Sequence, residues 1–287
     1  MPDDHVAELV DLLRLERLED NLFRGQSRDI GTQFVFGGQV LGQALAAAQQ
    51  TVDGSRTAHS LHAYFLRAGD IKAPIVYSVE RTRDGGSFSS RRVVAIQHGQ
   101  PILNGSISFQ QPEDGFEHQS AMPEVPAPED VAPMQALPAG ELAKLPEKLQ
   151  RWLGVDSPIE FRHVWPQDKL NPVKRPPIQH VWFRLAAPVE LPPEMHRALL
   201  AYASDFNLIG TATLPHGISY YTHNVQIASL DHALWFHRPF RIDEWLLYSF
   251  DSPTAQGARG LARGQIFSRE GRLVASTAQE GLIRLRK

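Results

Sequence analysis

The chain has 287 residues, 42% of them apolar and 21% charged, with 29 basic and 32 acidic side chains giving a net charge of -3. This length suggests two compact units, and the near balance of charge excludes a global attraction to nucleic acid or anionic lipid. Cysteine is absent, which excludes disulfides, thiolate nucleophiles and Cys-type zinc or iron–sulfur sites.

The chain opens Met1-Pro2-Asp3-Asp4-His5, without the basic-then-apolar order of a signal peptide, and no stretch is long and apolar enough to span a bilayer. Its end, Leu285-Arg286-Lys287, does not match a Ser-Lys-Leu address. A cytoplasmic protein without membrane insertion is the expectation. From Val6 to Leu18 the apolar spacing of Val6, Leu9, Val10 and Leu13 predicts a surface helix, followed by a short strand near Asn21 to Arg24. Phe36-Gly37-Gly38-Gln39-Val40-Leu41-Gly42 then opens an uncharged, alanine-rich helix to about Gln50, apolar nearly all round and hence buried.

Strand patterns follow at 60–66, 75–81, 89–97 and 102–110, separated by turn signals such as Arg83-Asp84-Gly85-Gly86 and His98-Gly99. Twelve of the 21 prolines fall between Pro112 and Pro177, which marks a connection, with one helical stretch at Leu142 to Leu153. The expected organisation is an N-terminal unit over 1–112, a proline-rich linker over 113–156 and a C-terminal unit over 157–287.

The second half repeats the first at an offset of about 171 residues. Tyr64-Phe65-Leu66-Arg67 falls on Trp235-Phe236-His237-Arg238, and Ile75-Val76-Tyr77-Ser78 on Leu246-Leu247-Tyr248-Ser249. One added residue near Glu270 brings Gly99 onto Gly271 and Ile102 onto Val274. Each copy is a helix followed by an antiparallel meander, an α+β unit that buries one sheet face against its helix. Two such copies side by side leave a groove at their junction as the place for a ligand.

Positions that are polar in one copy and apolar in the other show where the copies diverged in task. Ser229 overlies Ala58, Gln279 overlies Ile107, and Asp205 is the single charge in the stretch Ala198 to Gly210, read as helix. A carboxylate in such surroundings needs hydrogen-bond donors or a raised pKa, and Ser and Gln can supply donors. The structural alternative is that Asp205 caps a turn and the other two are ordinary strand polars. Gly37 and Gly38 could supply backbone N–H groups to a carbonyl, or could only permit close packing. His59 could contact substrate or be a satisfied core histidine. No Gly-x-Ser-x-Gly elbow occurs, Gly37 to Gly42 lacks the Lys-Ser/Thr of a phosphate loop, and His59 and His62 should face opposite sides of a strand, so no metal site is expected.

Four segments together resemble the acyl-CoA thioesterase II family: Phe36-Gly37-Gly38-Gln39, Ala201-Tyr202-Ala203-Ser204-Asp205, Asp231-His232-Ala233-Leu234-Trp235-Phe236-His237-Arg238-Pro239, and Ser276-Thr277-Ala278-Gln279-Glu280-Gly281. The resemblance implies a double hot-dog, two antiparallel sheets each wrapped around a long central helix. It further implies hydrolysis of medium- to long-chain acyl-CoA by a water that Asp205, Ser229 and Gln279 activate, with Gly38 and His59 as substrate contacts. No cofactor or metal is implied, and assembly as a dimer or tetramer is expected. A hot-dog hydratase or dehydratase, or a non-catalytic acyl-CoA-binding module, would share the fold.

Overall fold

The computed structural model describes residues 2–133, 143–221 and 223–286. Helix α1 (Pro2–Leu13) buries Val6, Leu9, Val10 and Leu13. It ends earlier than the expected Leu18, because Glu16–Glu19 turn back as strand β1 and pair with β2 (Leu22–Gly25) through the turn formers Asp20 and Asn21. The exposed, charged β1 closes one sheet edge, a placement that resists pairing with other chains. Helix α2 (Gly37–Gln49) follows, then β3 (Thr57–Phe65), β4 (Ile75–Asp84), β5 (Phe88–Gln97) and β6 (Gln100–Gln110).

The second half contains α3 (Glu147–Leu153), β7 (Ile159–His163), β8 (Ile178–Leu185) and α4 (Pro193–Ser204). Strands β9 (Val225–Ser229), β10 (Asp231–Phe236), β11 (Leu246–Gln256), β12 (Arg259–Ser268) and β13 (Leu273–Leu285) complete it. The linker helix is confined to α3, and Leu142 lies outside the described residues.

The expectation of two sheets is corrected. The thirteen strands among the described residues form one sheet in the order β1-β2-β4-β5-β6-β3-β10-β13-β12-β11-β8-β7, with β9 also on β13. Antiparallel pairing of β3 with β10, from Asp231 opposite Tyr64 to Trp235 opposite Ser60, joins the copies. Pairing there satisfies the backbone groups of two strands that would otherwise be open edges. The duplicated register is visible strand by strand: Arg91 lies opposite Ile107 as Ala262 lies opposite Gln279, and Ala58 opposite Phe109 as Ser229 opposite Gly281. The copies differ between helix and following strand, where the short link from Gln49 to Thr57 becomes the longer one from Ser204 to Val225, containing a 3-10 segment at Ile209–His216.

Helices α2 and α4 pack closely and antiparallel, with Gly38 against Tyr202 and Gly42 against Ala198. A Cβ on Gly38 would sit 2.1 Å from the Tyr202 carbonyl oxygen. The buried helix is not wholly apolar, since Gln39 and Gln43 are fully buried. Gln43 donates to the Leu12 and Gln26 carbonyls and accepts from Tyr77 Oη at 2.7 Å, and Gln39 donates to Gln26. These bonds lash the entry loop and α1 to α2.

The proline-rich segment does more than connect. Val131, with Met122 and Val125, packs on Trp182, Trp245, Leu247, Phe267 and Leu273, covering the outer face of the second half's strands. Trp182 Nε1 donates to the Pro126 carbonyl and Arg162 Nη1 to that of Pro128.

The Gly38 contact generates a test. Gly38→Ala places a methyl against backbone that no side-chain rotation can clear, so we expect a loss of about 1–3 kcal/mol or more in urea unfolding. Gly86→Ala, where a Cβ would meet nothing within 4 Å, should stay within about 0.5 kcal/mol of the parent. Equal effects of the two would contradict the close helix crossing.

Candidate active site

Asp205 does not lie inside a helix as the sequence suggested. Helix α4 ends at Ser204 and Asp205 is its C-cap, while Asn207 takes a left-handed φ of 66°, which stops the helix there. The Ser204 carbonyl accepts from Tyr248 Oη at 3.0 Å, so this buried helix end is satisfied. The cap position fits the structural alternative for the backbone alone, because the side chain is spent elsewhere.

The antiparallel crossing brings the end of α4 to the start of α2. There the Asp205 carboxylate, 5% exposed, accepts from the backbone N–H of Gly38. It also accepts from Gln279 Nε2 at 2.6 Å and Ser229 Oγ at 3.3 Å, both on Oδ1. A Cβ on Gly37 would lie 2.6 Å from Asp205 Oδ2 and 3.0 Å from the Phe65 ring, so only glycine leaves room for the carboxylate. Gln279 comes from β13 and Ser229 from the end of β9, two strands that pair with each other. The structure thus gathers Asp205, Ser229, Gln279 and Gly38 in one place.

Burial raises the pKa of Asp205 above the ordinary aspartate value, and the donors Gln279, Ser229 and Gly38 pull it back. The carboxylate is a desolvated base with three donors and a helix N-terminus facing it. The Oε1 atom of Gln279 is buried with no hydrogen-bond partner, an unused acceptor beside the carboxylate. Aromatic side chains crowd the same end of α2: Phe36 lies 4.3 Å from Phe206 and 5.3 Å from Tyr202 between ring centroids.

His59 is not brought into this cluster. It is the bulge residue of β3, with Nε2 2.8 Å from Ser108 Oγ and its ring edge-on to Phe88. Phe65, beside Gly37, is at the other end of that strand, on the order of 20 Å away at ~3.3 Å per residue. Burial lowers the pKa of His59.

Sequence reasoning passed over His232. Its side chain is fully buried; Nδ1 lies 3.1 Å from Gln279 Nε2 and Nε2 lies 2.9 Å from Ser204 Oγ. The signal was available, because the 171-residue offset places His232 of the second copy where the first copy has Leu61, the partner across the ladder of Ile107, whose counterpart is Gln279. Burial pushes its pKa down to about 3, so the imidazole is neutral and its 4.0 Å approach to Asp205 Oδ1 is not an ion pair.

This arrangement can be set beside known proteins. The family "Acyl-CoA thioesterase" matches residues 155–282, and "Acyl-CoA thioesterase N-terminal domain" matches residues 25–110. Acyl-CoA thioesterase 2 of Haemophilus influenzae is 45% identical over 281 residues, covering 98% of this chain and 98% of its own. Among solved structures, an acyl-CoA thioesterase II from Mycobacterium marinum aligns with a TM-score of 0.77 at 43% identity, covering 97% of this chain and 99% of its own. A hot-dog protein from Alicyclobacillus acidocaldarius aligns with a TM-score of 0.78 at 20% identity, over 98% of this chain and 99% of its own, which bears on the fold alone. Matched along nearly its whole length, with both halves recognised, the chain belongs to the acyl-CoA thioesterase II family of hot-dog enzymes.

Proposed function

We propose that this protein hydrolyses medium- to long-chain acyl-CoA to free fatty acid and CoA, with Asp205 as the general base and Ser229 and Gln279 positioning the attacking water. The observation that carries the reading is a buried carboxylate of raised pKa, held by Ser229, Gln279 and the Gly38 N–H, beside the unpartnered acceptor Oε1 of Gln279. A water there can donate one hydrogen to Asp205 and the other to Gln279 Oε1, which aims its lone pair at an incoming thioester carbon. Asp205 takes the water's proton as the C–O bond forms, and the thiolate of CoA leaves as the tetrahedral intermediate collapses. Carbonyl polarisation falls to the α2 N-terminus, where Gly38 is committed to Asp205 and Gly37 lies alongside. The aromatic wall of Phe36, Phe65, Tyr202 and Phe206 suits an acyl chain.

The hydratase reading calls for an Asp/His pair facing substrate. Asp205 and His232 are neighbours, yet both imidazole nitrogens are occupied and the ring is buried behind Gln279, which leaves no proton route from it to a ligand. In this reading the unit over 157–287 carries the catalytic residues Asp205, Ser229 and Gln279, and the protein acts in the cytoplasm as a dimer or tetramer. No helix among the described residues is long and apolar enough to cross a membrane.

Thiol release measured across acyl-CoA lengths tests the substrate class: turnover should be highest with medium to long chains, and hydration of an enoyl-CoA with no thiol release would replace the reading. Asp205→Asn, which keeps the shape but cannot take a proton, should lower kcat by ~10²-fold or more with the fold intact. Unchanged turnover removes Asp205 from the chemistry.

The pH profile has a definite sign. Only ionised Asp205 is a base, so kcat/KM should fall as pH drops through a pKa above 3.8, shifted upward by burial. His232, at about 3, stays neutral across that limb and does not shape it. A rate profile flat down to pH 4 would contradict a desolvated base. In single turnover in oxygen-18 water, general-base attack puts label in the fatty acid and none in Asp205; label in Asp205 would indicate an anhydride.

A further inference from the structure

Around the carboxylate the second copy gathers not three polar side chains but four. Where the first copy has Ala58, Leu61 and Ile107, the second has Ser229, His232 and Gln279, and the helix that precedes them ends in Asp205. Three of these four groups meet at the carboxylate. The fourth, His232, is hydrogen-bonded to Gln279 and comes no closer than 4.0 Å to the carboxylate, and its place in the first copy is filled by an ordinary core leucine.

Hydrogen-bond logic assigns every proton in this chain of contacts. Gln279 Nε2 has two hydrogens and two acceptors, Asp205 Oδ1 at 2.6 Å and His232 Nδ1 at 3.1 Å. The opposite amide orientation would set Oε1 against a carboxylate oxygen at that short distance, two acceptors in repulsion. His232 Nδ1 is therefore the unprotonated nitrogen, and Nε2–H donates to Ser204 Oγ at 2.9 Å. Ser204 in turn donates to the Ala201 carbonyl at 2.9 Å, within the last turn of α4. The chain ends on a helix carbonyl, a fixed acceptor, so each link has one polarity. Within this set of contacts Gln279 Oε1 is buried and left without a partner.

We infer that His232 is a positioning residue for hydrolysis: as a neutral acceptor anchored through Ser204 to α4, it holds the Gln279 amide so that Oε1 faces the attacking water. The inference rests on the thioesterase reading and goes beyond it, because it names a residue that acts only through another. A charged imidazole would present a second donor to Gln279 Nε2 and break the chain, and the ring's burial keeps it neutral.

A double-mutant cycle on thiol release from palmitoyl-CoA tests it. His232→Leu, which restores the residue of the first copy, should lower kcat ~10-fold or more with KM little changed, through loss of orientation. In a Gln279→Ala background the same substitution should cost nothing further, since there is no amide left to hold. His232→Asn, whose amide oxygen can replace Nδ1 as acceptor, should recover most of the turnover. An equal kcat loss with and without Gln279, or full activity in folded His232→Leu, overturns the inference while leaving the thioesterase reading intact. Should the leucine variant not fold, Ser204→Ala runs through the same cycle with the same pattern expected. Nitrogen-15 NMR of the parent protein gives a readout that needs no variant: His232 should carry its proton on Nε2 from pH 5 to 9, and a protonated Nδ1 overturns the assignment. Absence of thiol release by the parent enzyme would sink the functional reading and this inference together.

Discussion

The end of one helix is pressed onto the beginning of another, and the chemistry of the site depends on how close that approach is. Gly38 permits it, because any larger residue would collide with the Tyr202 carbonyl. At that crossing Asp205, the C-cap of α4, is opposed by the negative end of its own helix and welcomed by the positive end of α2. Without that crossing the Gly38 N–H would not face the carboxylate and the side chain would not be buried. The carboxylate would then behave as an ordinary aspartate, well solvated and weakly basic. Packing geometry, charge state and proposed reactivity are a single constraint seen at three levels.

Burial alone would neutralise such a group, since desolvation disfavours the charged form. Three donors without formal charge restrain that tendency and add no cation that would suppress basicity outright. An arginine in place of Gln279 would hold the carboxylate far below the usual range and make it a poor proton acceptor. The neutral imidazole behind Gln279 follows the same logic: a buried protonated histidine would do to Asp205 what an arginine would, whereas His232 is held neutral by its surroundings.

Much of this was legible in the sequence. The duplication, the strands of each copy and the contrasts at Ser229 and Gln279 could be read by overlaying one half on the other, because side-chain alternation in strands is local and its register survives divergence. The meander order was not, since the first strand of each copy pairs with the last, β3 with β6 and β10 with β13, and not with the strand that follows it. Helix limits were less legible. The stretch from Ala198 to Gly210 is apolar enough to look continuous, yet it breaks at Asn207, whose left-handed backbone and the 3-10 segment after it answer to packing against the sheet. The union of two sheets into one was also hidden, since pairing between β3 and β10 depends on how the copies dock, and docking leaves no periodic trace. His232 was missed for a different reason. A histidine opposite a leucine reads as a chance polar substitution until its two nitrogens are seen to be spoken for.

The first copy shows what the second gave up. Beside Ile107, at the position where the second copy has Ala262, stands Arg91, 2% exposed. Its guanidinium donates to Thr51 Oγ at 2.8 Å and to the Thr51 carbonyl at 3.0 Å, just past the end of α2, and pairs with Asp84 at 2.7 Å. A cation at a helix C-terminus is electrostatically favourable, and a fully bonded one leaves no reactive atom exposed. The second copy ends its helix on an anion, held by neutral donors with one acceptor left over, an arrangement less favourable for folding and suited to holding a water. One half of the duplicated sheet keeps the electrostatically favourable helix end, and the half carrying Asp205 keeps the one that leaves an acceptor free.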